Sequence, residues 1–421
     1  MDTTRRRLFT LGVGAAGVIM AAPAILRATS RMLMPAAGGN RVVIVGGGWG
    51  GLSAARWLKR SRPSTEVVIV EQNNIFMSCP LSNLYLGNVL PLDRLQFSYA
   101  GLGRAGVVFQ QARVTGVDRD SRVLETSGGK IGYDYLMLSP GIDYMWDQVP
   151  GLWEGRHDIP IAFKPGPEHL HLKETIDKFE GGVFALCIPE GPIRCPPGPY
   201  ERIAMIAYNF KKRGLKAKLI VLDANAKPMS KGKGFLAAYE SLYGDIVEYN
   251  PSHQIESVDH AKRRITHTFG DLDYDAANII PPMQAGEIVR IAGVGKRWAP
   301  INATDFSTLA DPRVFMIGDA IGDQPFPKSG FMANTVGKIA AAHVMEKLEG
   351  KDPTPIEPAN TCFSMVDGDD GGRSIWVTHG FTWNAGESKF DRTATVDLNP
   401  TRDSAQAAMR WASSIWSEML G

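Results

Sequence analysis

The sequence predicts an α/β fold: two doubly wound, Rossmann-like lobes followed by a small α+β unit at the C-terminal end. Three observations predict it. Residues 41–71 run strand, glycine turn, helix, strand. Residues 181–223 repeat that order. The chain then comes back, at Val314 to Ala320, to another apolar strand that closes on Gly-Asp.

The first unit carries the most information. Val42 to Val45 is a short apolar run of the kind that forms a buried parallel strand. Gly46, Gly48 and Gly51 follow with the spacing G-x-G-x-x-G. Gly46 makes the tight turn, Gly48 lets the backbone approach a pyrophosphate, and Gly51 lets helix and strand pack closely. A helix from Leu52 to about Arg60 and a strand from Val67 to Val70 complete the unit, which ends on Glu71, 20 residues after Gly51. At that distance an acidic side chain meets a ribose hydroxyl, while the pyrophosphate rests on the free amides of the helix start. Taken alone, the glycines would fit an ordinary strand-to-helix turn. Strand, glycines, helix, strand and terminal Glu together make a dinucleotide site.

Bulk properties agree with a packed enzyme-like chain. The 421 residues are 44% hydrophobic and 21% charged, with a net charge of +2. That length suits two or three domains, and that charge argues against a dedicated nucleic-acid binder. Residues 1–30 read as a targeting leader, with Arg5, Arg6 and Arg7 ahead of Leu8-Phe9-Thr10-Leu11. The apolar stretch from Leu11 to Leu26 is mild, rich in Gly and Ala, and holds Pro23, so stable membrane insertion is not expected. A twin-arginine leader implies export of a folded protein to the bacterial periplasm, where disulfides persist. Cleavage after Ala24, after Ala28 or nearer Ala37 stays open.

Beyond Glu71, Cys79 stands in a loop just ahead of a helix start, a place that favours the thiolate. Its bland alternative is a buried small apolar residue. Val107 to Val114 reads as a strand, and Val123–Thr126 with Lys130–Tyr133 as a hairpin around Gly128-Gly129. Tyr135 to Leu138 is a further buried strand.

The second unit has a strand at Val183–Ile188, a helix over Pro199–Arg213, and a strand from Lys218 to Leu222 that ends on Asp223. Its connecting loop, residues 189–199, holds Pro192, Pro196, Pro197 and Pro199, which remove amide donors that a pyrophosphate needs. Gly191 and Gly198 lack the fingerprint spacing. The lobe therefore has a nicotinamide-type fold without a nicotinamide site. Lys227, Lys231 and Lys233 read as a solvated surface rather than a phosphate site. Cys187, inside the apolar strand, reads as a buried structural thiol.

Past Gly318 and Asp319, the segment Pro327-Lys328-Ser329-Gly330 leads into a helix over Phe331–Glu349. In such lobes the Asp takes hydrogen bonds from the ribityl side of FAD, and the helix amides with Lys328 suit a reduced, anionic flavin. Residues 351–421 form the tail unit: a turn at Asp367–Gly372, a small sheet over about 374–398, and a helix over Ser404–Leu420 with Met409, Trp411, Ile415 and Trp416 apolar. Such a helix would dock on its own protein or on a partner; a membrane-surface helix would carry more Lys and Arg. The expected division is 40–155 with 281–350 as one discontinuous FAD-binding lobe, 156–280 as the second lobe, and 351–421 as the tail. No metal site is read.

Several stretches resemble the flavoprotein subunit of flavocytochrome c sulfide dehydrogenase, a branch of the pyridine nucleotide-disulfide reductase superfamily. The most specific are Arg194-Cys195-Pro196-Pro197-Gly198-Pro199-Tyr200-Glu201-Arg202, Pro327-Lys328-Ser329-Gly330, Asn360-Thr361-Cys362-Phe363-Ser364 and Cys79-Pro80-Leu81-Ser82-Asn83. The resemblance implies FAD held covalently by a thioether from Cys79. It implies a redox-active disulfide between Cys195 and Cys362, with Glu201 as its acid/base, and Trp411 beside the flavin facing a haem subunit. Cysteine counting alone leaves three pairings open. The resemblance further implies oxidation of hydrosulfide to sulfur or polysulfide, with electrons passed through FAD to a periplasmic c-type cytochrome. The sequence has no C-x-x-C-H, so haem c belongs to the partner. The competing readings are a sulfide:quinone oxidoreductase, an NADH-dependent disulfide reductase, and a non-catalytic flavoprotein partner of a sulfur-oxidation system.

Overall fold

A computed structural model describes residues 32–34 and 39–421, so the arginine leader lies outside the described residues. The strand Arg41–Val45 lies inside a six-stranded sheet, in the order 307–308, 311–316, 135–138, 41–45, 66–71, 107–111. All neighbours are parallel except the short edge strand 307–308. Val42, Val43, Ile44, Val67, Val68 and Ile69 are fully buried. Both sheet faces are covered, which is why these runs do not alternate. Helix α1 (Trp49–Ser61) begins four residues after the first strand.

One strand differs from expectation. Val107–Gln111 stays in the sheet, whereas Val114–Asp118 belongs to an antiparallel meander with Val123–Thr126 and Gly129–Gly132. The break falls where Ala112 donates its N–H to the Glu71 carbonyl, at 2.9 Å, and the chain leaves the sheet. Met32–Met34 pairs in parallel with Gly129–Gly132, an element not read from the sequence.

After helix α2 (Ser82–Leu86), the antiparallel pair Ile142–Tyr144 and Met283–Ala285 marks where the chain leaves the first lobe and returns to it. Between them lies a four-stranded parallel sheet in the order 247–251, 217–223, 182–188, 276–279. It is flanked by helices α3 (Pro167–Lys178), α4 (Gly198–Lys212) and α5 (Gly232–Tyr243). Back in the first lobe, the strand Asp311–Met316 gives way to a short 3-10 turn at Gly318–Ala320, where Gly318 has φ +76°. Helix α6 (Gly330–Leu348) then crosses α1 so closely that a Cβ at Gly337 would stand 2.5 Å from the Gly50 carbonyl.

The tail is a three-stranded antiparallel sheet, Ala359–Asp367, Arg373–Asn384 and Lys389–Thr401, closed by helix α7 (Arg402–Leu420). Thr401 caps α7 by accepting the Ser404 N–H. Ala405, Ala408, Ala412 and Trp416 recur at helical spacing and are buried. The helix docks on its own chain: Arg56 donates to the Glu418 carbonyl at 3.0 Å and Lys338 pairs with the Glu418 carboxylate at 2.7 Å. Among the described residues no helix is long and apolar enough to cross a membrane.

Candidate active site

The glycine turn has the geometry a dinucleotide requires. Gly46 has φ +103°, and a Cβ there would meet the Ser139 carbonyl oxygen at 2.2 Å. A Cβ at Gly51 would stand 1.9 Å from the Gly46 carbonyl, whereas one at Gly48 would meet nothing within 4 Å. Two glycines thus close the turn, and the third leaves room for a ligand. No side chain caps the start of α1 and no acidic residue lies in its first turn, so its amides are free for an anion. Glu71 accepts the Gly47 N–H at 2.8 Å and is tied by Asn73 on its other oxygen.

Asp223 holds the corresponding place in the second lobe, and its carboxylate is already engaged. It is fully buried and accepts the hydroxyls of Tyr200 (2.8 Å) and Tyr249 (2.6 Å) and the side-chain amide of Asn225 (2.7 Å).

A cavity lies where the two lobes meet the tail. Cys79, Cys195, Cys362, Glu201 and Trp411 all line it, with Ser329, Gly330 and Phe331 from the start of α6. Trp411 stacks between Trp49 and Phe331, at centroid distances of 5.1 and 5.4 Å. Cys195 and Cys362 stand as two thiols in hydrogen-bond contact. Cys195 occupies the left-handed region (φ +51°), and its N–H donates to the Lys328 carbonyl at 2.6 Å. Gly198 makes room for it: a Cβ there would touch its sulfur at 3.0 Å. Cys362 arrives on the tail strand Ala359–Asp367.

The hydrogen bond given to Cys362, and after it burial, push the Cys195 thiol up, and that same hydrogen bond, helped by Lys231, pulls Cys362 down. Glu201 sits in the first turn of α4, accepting the Met365 N–H (2.7 Å) and the Asn83 side-chain amide (2.7 Å). Burial raises its pKa above the usual carboxylate value. Arg202 is buried beside it, bonded to Asn83, Asn278 and the Ile161 carbonyl.

Three expectations change. The Cys79 thiol is pushed up by burial, which outweighs the Arg194 guanidinium, so its position ahead of α2 does not favour the thiolate. The Lys328 ammonium turns away from the cavity. It donates to the Asp319 (2.8 Å) and Ile321 (2.7 Å) carbonyls and lies 3.7 Å over the Trp298 ring, and burial lowers its pKa to about 8. It lines a second cavity, which also reaches Cys362. Lys227 and Lys233 are exposed, but Lys231 is buried.

Asp319 pairs with Arg194 at 3.0 Å, and its other carboxylate oxygen is buried without a partner. That orphan oxygen, the open turn at Gly48, the free amides of α1 and the shared cavity all fit FAD. Cys187 is fully buried and its thiol is pushed well up by that burial. Sequence reasoning gave no role to Asn83, Arg194, Arg202 or Lys231. The first three stand inside or beside the quoted Cys motifs, which is a usable signal. Lys231 has only the glycines at 232 and 234: a Cβ at Gly234 would meet Ile375 at 2.8 Å, which marks the close approach of α5 to the tail sheet.

The two-lobed α/β fold and its site resemble those of flavoproteins of the disulfide-reductase type. Residues 40–176 match the family described as pyridine nucleotide-disulphide oxidoreductase, and residues 170–281 match the central part of the flavocytochrome c sulfide dehydrogenase flavoprotein chain. The chain is 25% identical over 291 residues to the mitochondrial sulfide:quinone oxidoreductase of Mus musculus, covering 65% of this chain and 63% of that protein. The match thus spans less than two thirds of that relative. The sulfide-quinone reductase of Aquifex aeolicus is 21% identical, covering 77% of this chain and 80% of its own length. The crystal structure of the sulfide:quinone oxidoreductase from Aquifex aeolicus superposes with a TM-score of 0.73 at 17% identity, over 90% of this chain and 91% of that one.

Proposed function

We propose that the protein oxidises hydrosulfide with FAD, using Cys195 and Cys362 as its redox pair. The observation that carries this reading is the convergence of both thiols and Glu201 on one cavity, together with Cys79 and the start of α6. In the disulfide state, HS⁻ attacks one sulfur: a new S–S bond forms as the old one breaks, leaving a persulfide on one cysteine and a thiolate on the other. Glu201, raised by burial, takes the proton that the persulfide sheds. FAD supplies a two-electron acceptor that can release electrons singly. The hydrosulfide sulfur leaves as sulfur or as part of a polysulfide, two electrons poorer, and the disulfide is restored. Gly46, Gly48, Gly51 and Glu71 hold the dinucleotide, and Cys79 carries it through a thioether.

The electron acceptor in this proposal is a c-type cytochrome in the periplasm. The match of residues 170–281 supports it, as does an α7 whose Trp416, Met419 and Leu420 are buried on its own protein. A quinone is the second reading, favoured by the names of the relatives. The test is sulfide-dependent reduction of cytochrome c against that of a soluble quinone, in the unaltered protein and in Cys195→Ser and Cys362→Ser. Each substitution is expected to cost at least about 10³-fold while FAD stays bound, because the pair acts as a unit. Full turnover in either variant overturns the disulfide route. Faster quinone than cytochrome reduction overturns the cytochrome reading. A denaturing mass spectrum tests Cys79: its peptide gains the mass of one FAD, and an unmodified peptide with free FAD rejects the thioether.

A further inference from the structure

Lys231 is the least explained charge near the pair. It is 7% exposed, at the start of α5 between the exposed Lys227 and Lys233. Its ammonium donates to the Cys362 carbonyl at 2.9 Å and to the Ser364 hydroxyl at 2.8 Å, which uses two of its three N–H groups. Among the described residues no carboxylate forms an ion pair with it: Glu201, the acid nearest in influence, has its oxygens on the Met365 N–H and the Asn83 amide. A buried ammonium held only by neutral oxygens is costly unless a negative charge forms nearby. The charge available here belongs to the redox pair. The disulfide is neutral, but its opening releases a thiolate.

From this geometry we propose that Lys231 is the positioning cation of the redox pair: it stabilises the thiolate formed when the Cys195–Cys362 disulfide opens. The inference rests on the disulfide reading above and deepens it. It makes the pair a better leaving group, since a lower thiol pKa speeds departure in thiol–disulfide exchange. The other charges facing the pair are Glu201 and Arg202 on α4 and Arg194 in the loop before it. His379, on the neighbouring tail strand, is held neutral by burial, with a pKa of about 4. Glu201 opposes the thiolate and Lys231 favours it. Burial lowers the Lys231 pKa, and the negative pair works the other way, so lysine and thiolate support each other's charge.

The experiment reads thiolate directly. The holoprotein is reduced, and the rate of iodoacetamide alkylation at Cys195 and Cys362 is followed against pH by peptide mapping. In the unaltered protein Cys362, the lower of the two, should show a midpoint below the ordinary cysteine value of about 8.5, and the outcomes below refer to that midpoint. Lys231→Gln keeps two N–H donors on a side chain one bond shorter but loses the charge. It should raise the midpoint by about one unit, a tenfold loss of thiolate at neutral pH. Lys231→Arg should keep the midpoint within about 0.3 unit, and FAD content should be equal in all three. An unchanged midpoint in Lys231→Gln overturns the proposal, and so does a shift in Lys231→Arg as large as in Lys231→Gln, which assigns the effect to packing. If Lys231→Gln does not fold, the unaltered protein still decides: a midpoint at or above the ordinary value overturns the proposal. The titration uses neither sulfide nor an acceptor, so its failure is separable from failure of the sulfide reading.

Discussion

The two lobes share one strand–helix–strand order and use it in opposite ways. In the first, the turn after Val45 is built of glycines, and a Cβ at Gly48 would meet open space. In the second, the loop after Ile188 is built of prolines, and it hands the start of α4 two reactive groups, Cys195 and Glu201. The acids at the ends of the second strands differ as well. Glu71 bonds the loop that would cradle a dinucleotide, whereas Asp223 is fully engaged by Tyr200, Tyr249 and Asn225. A Rossmann-like turn is therefore a platform at the helix start, and backbone chemistry decides what it presents. Free amides present a site for phosphate; prolines and a left-handed cysteine present a sulfur.

The largest effect that tests this contrast comes from matched glycine substitutions. Gly51→Ala places a Cβ 1.9 Å from the Gly46 carbonyl, a backbone atom that cannot swing away. The expected cost is about 1–3 kcal/mol of stability, the scale of overpacking, with FAD content falling roughly tenfold as the turn opens. In the proline loop, Gly191→Ala meets only the Met229 sulfur, at 3.2 Å, which a side chain can relieve. It should cost less than about 1 kcal/mol and leave FAD content unchanged. Thermal melts and flavin-to-protein ratios of the two variants check both. Equal flavin loss in both would break the contrast.

Much of this was legible in sequence because it is local. Gly46, Gly48, Gly51 and Glu71 lie within one strand–helix–strand unit, and their roles follow from spacing. Cys187 was legible because an apolar strand on both sides of it leaves no other place than the core. What was not legible depends on distant parts of the chain meeting. Lys231 looks like a surface lysine among Lys227 and Lys233, and only the tail strand carrying Cys362 and Ser364 buries it. Lys328 looks like a flavin contact because it stands just ahead of α6. Its four-carbon stem instead carries the ammonium to the Asp319 and Ile321 carbonyls, which accept two of its N–H groups. The Cys79 thiol was judged by the helix after it, but α2 has only five residues, and burial decides its pKa. Residues 107–114 hold no glycine or proline to mark an end, yet the backbone leaves the sheet at Ala112.

A test on one side of the contrast alone concerns how the proline loop and α4 set Glu201. The first turn of a helix favours a carboxylate, by a few tenths to about 1 kcal/mol at exposed positions. Glu201 is 9% exposed, and burial moves its pKa the other way, upward, against the Met365 and Asn83 hydrogen bonds and the Lys231 and Arg202 charges. The group is a base only when ionised, so turnover should rise with pH through a midpoint above the ordinary glutamate value of about 4.3 and level off beyond it. Glu201→Gln keeps the side chain's size and can still accept the Met365 N–H. It should lower sulfide turnover by roughly 10²-fold, within the range for a general acid–base group, and remove that acid-side limb. The opposite pattern, a limb that survives in Glu201→Gln, would assign the pH dependence to the thiols and leave Glu201 as a support for the tail strand at Met365. A pH series of initial rates with the unaltered protein and Glu201→Gln separates the two, because only the catalytic role ties the limb to residue 201.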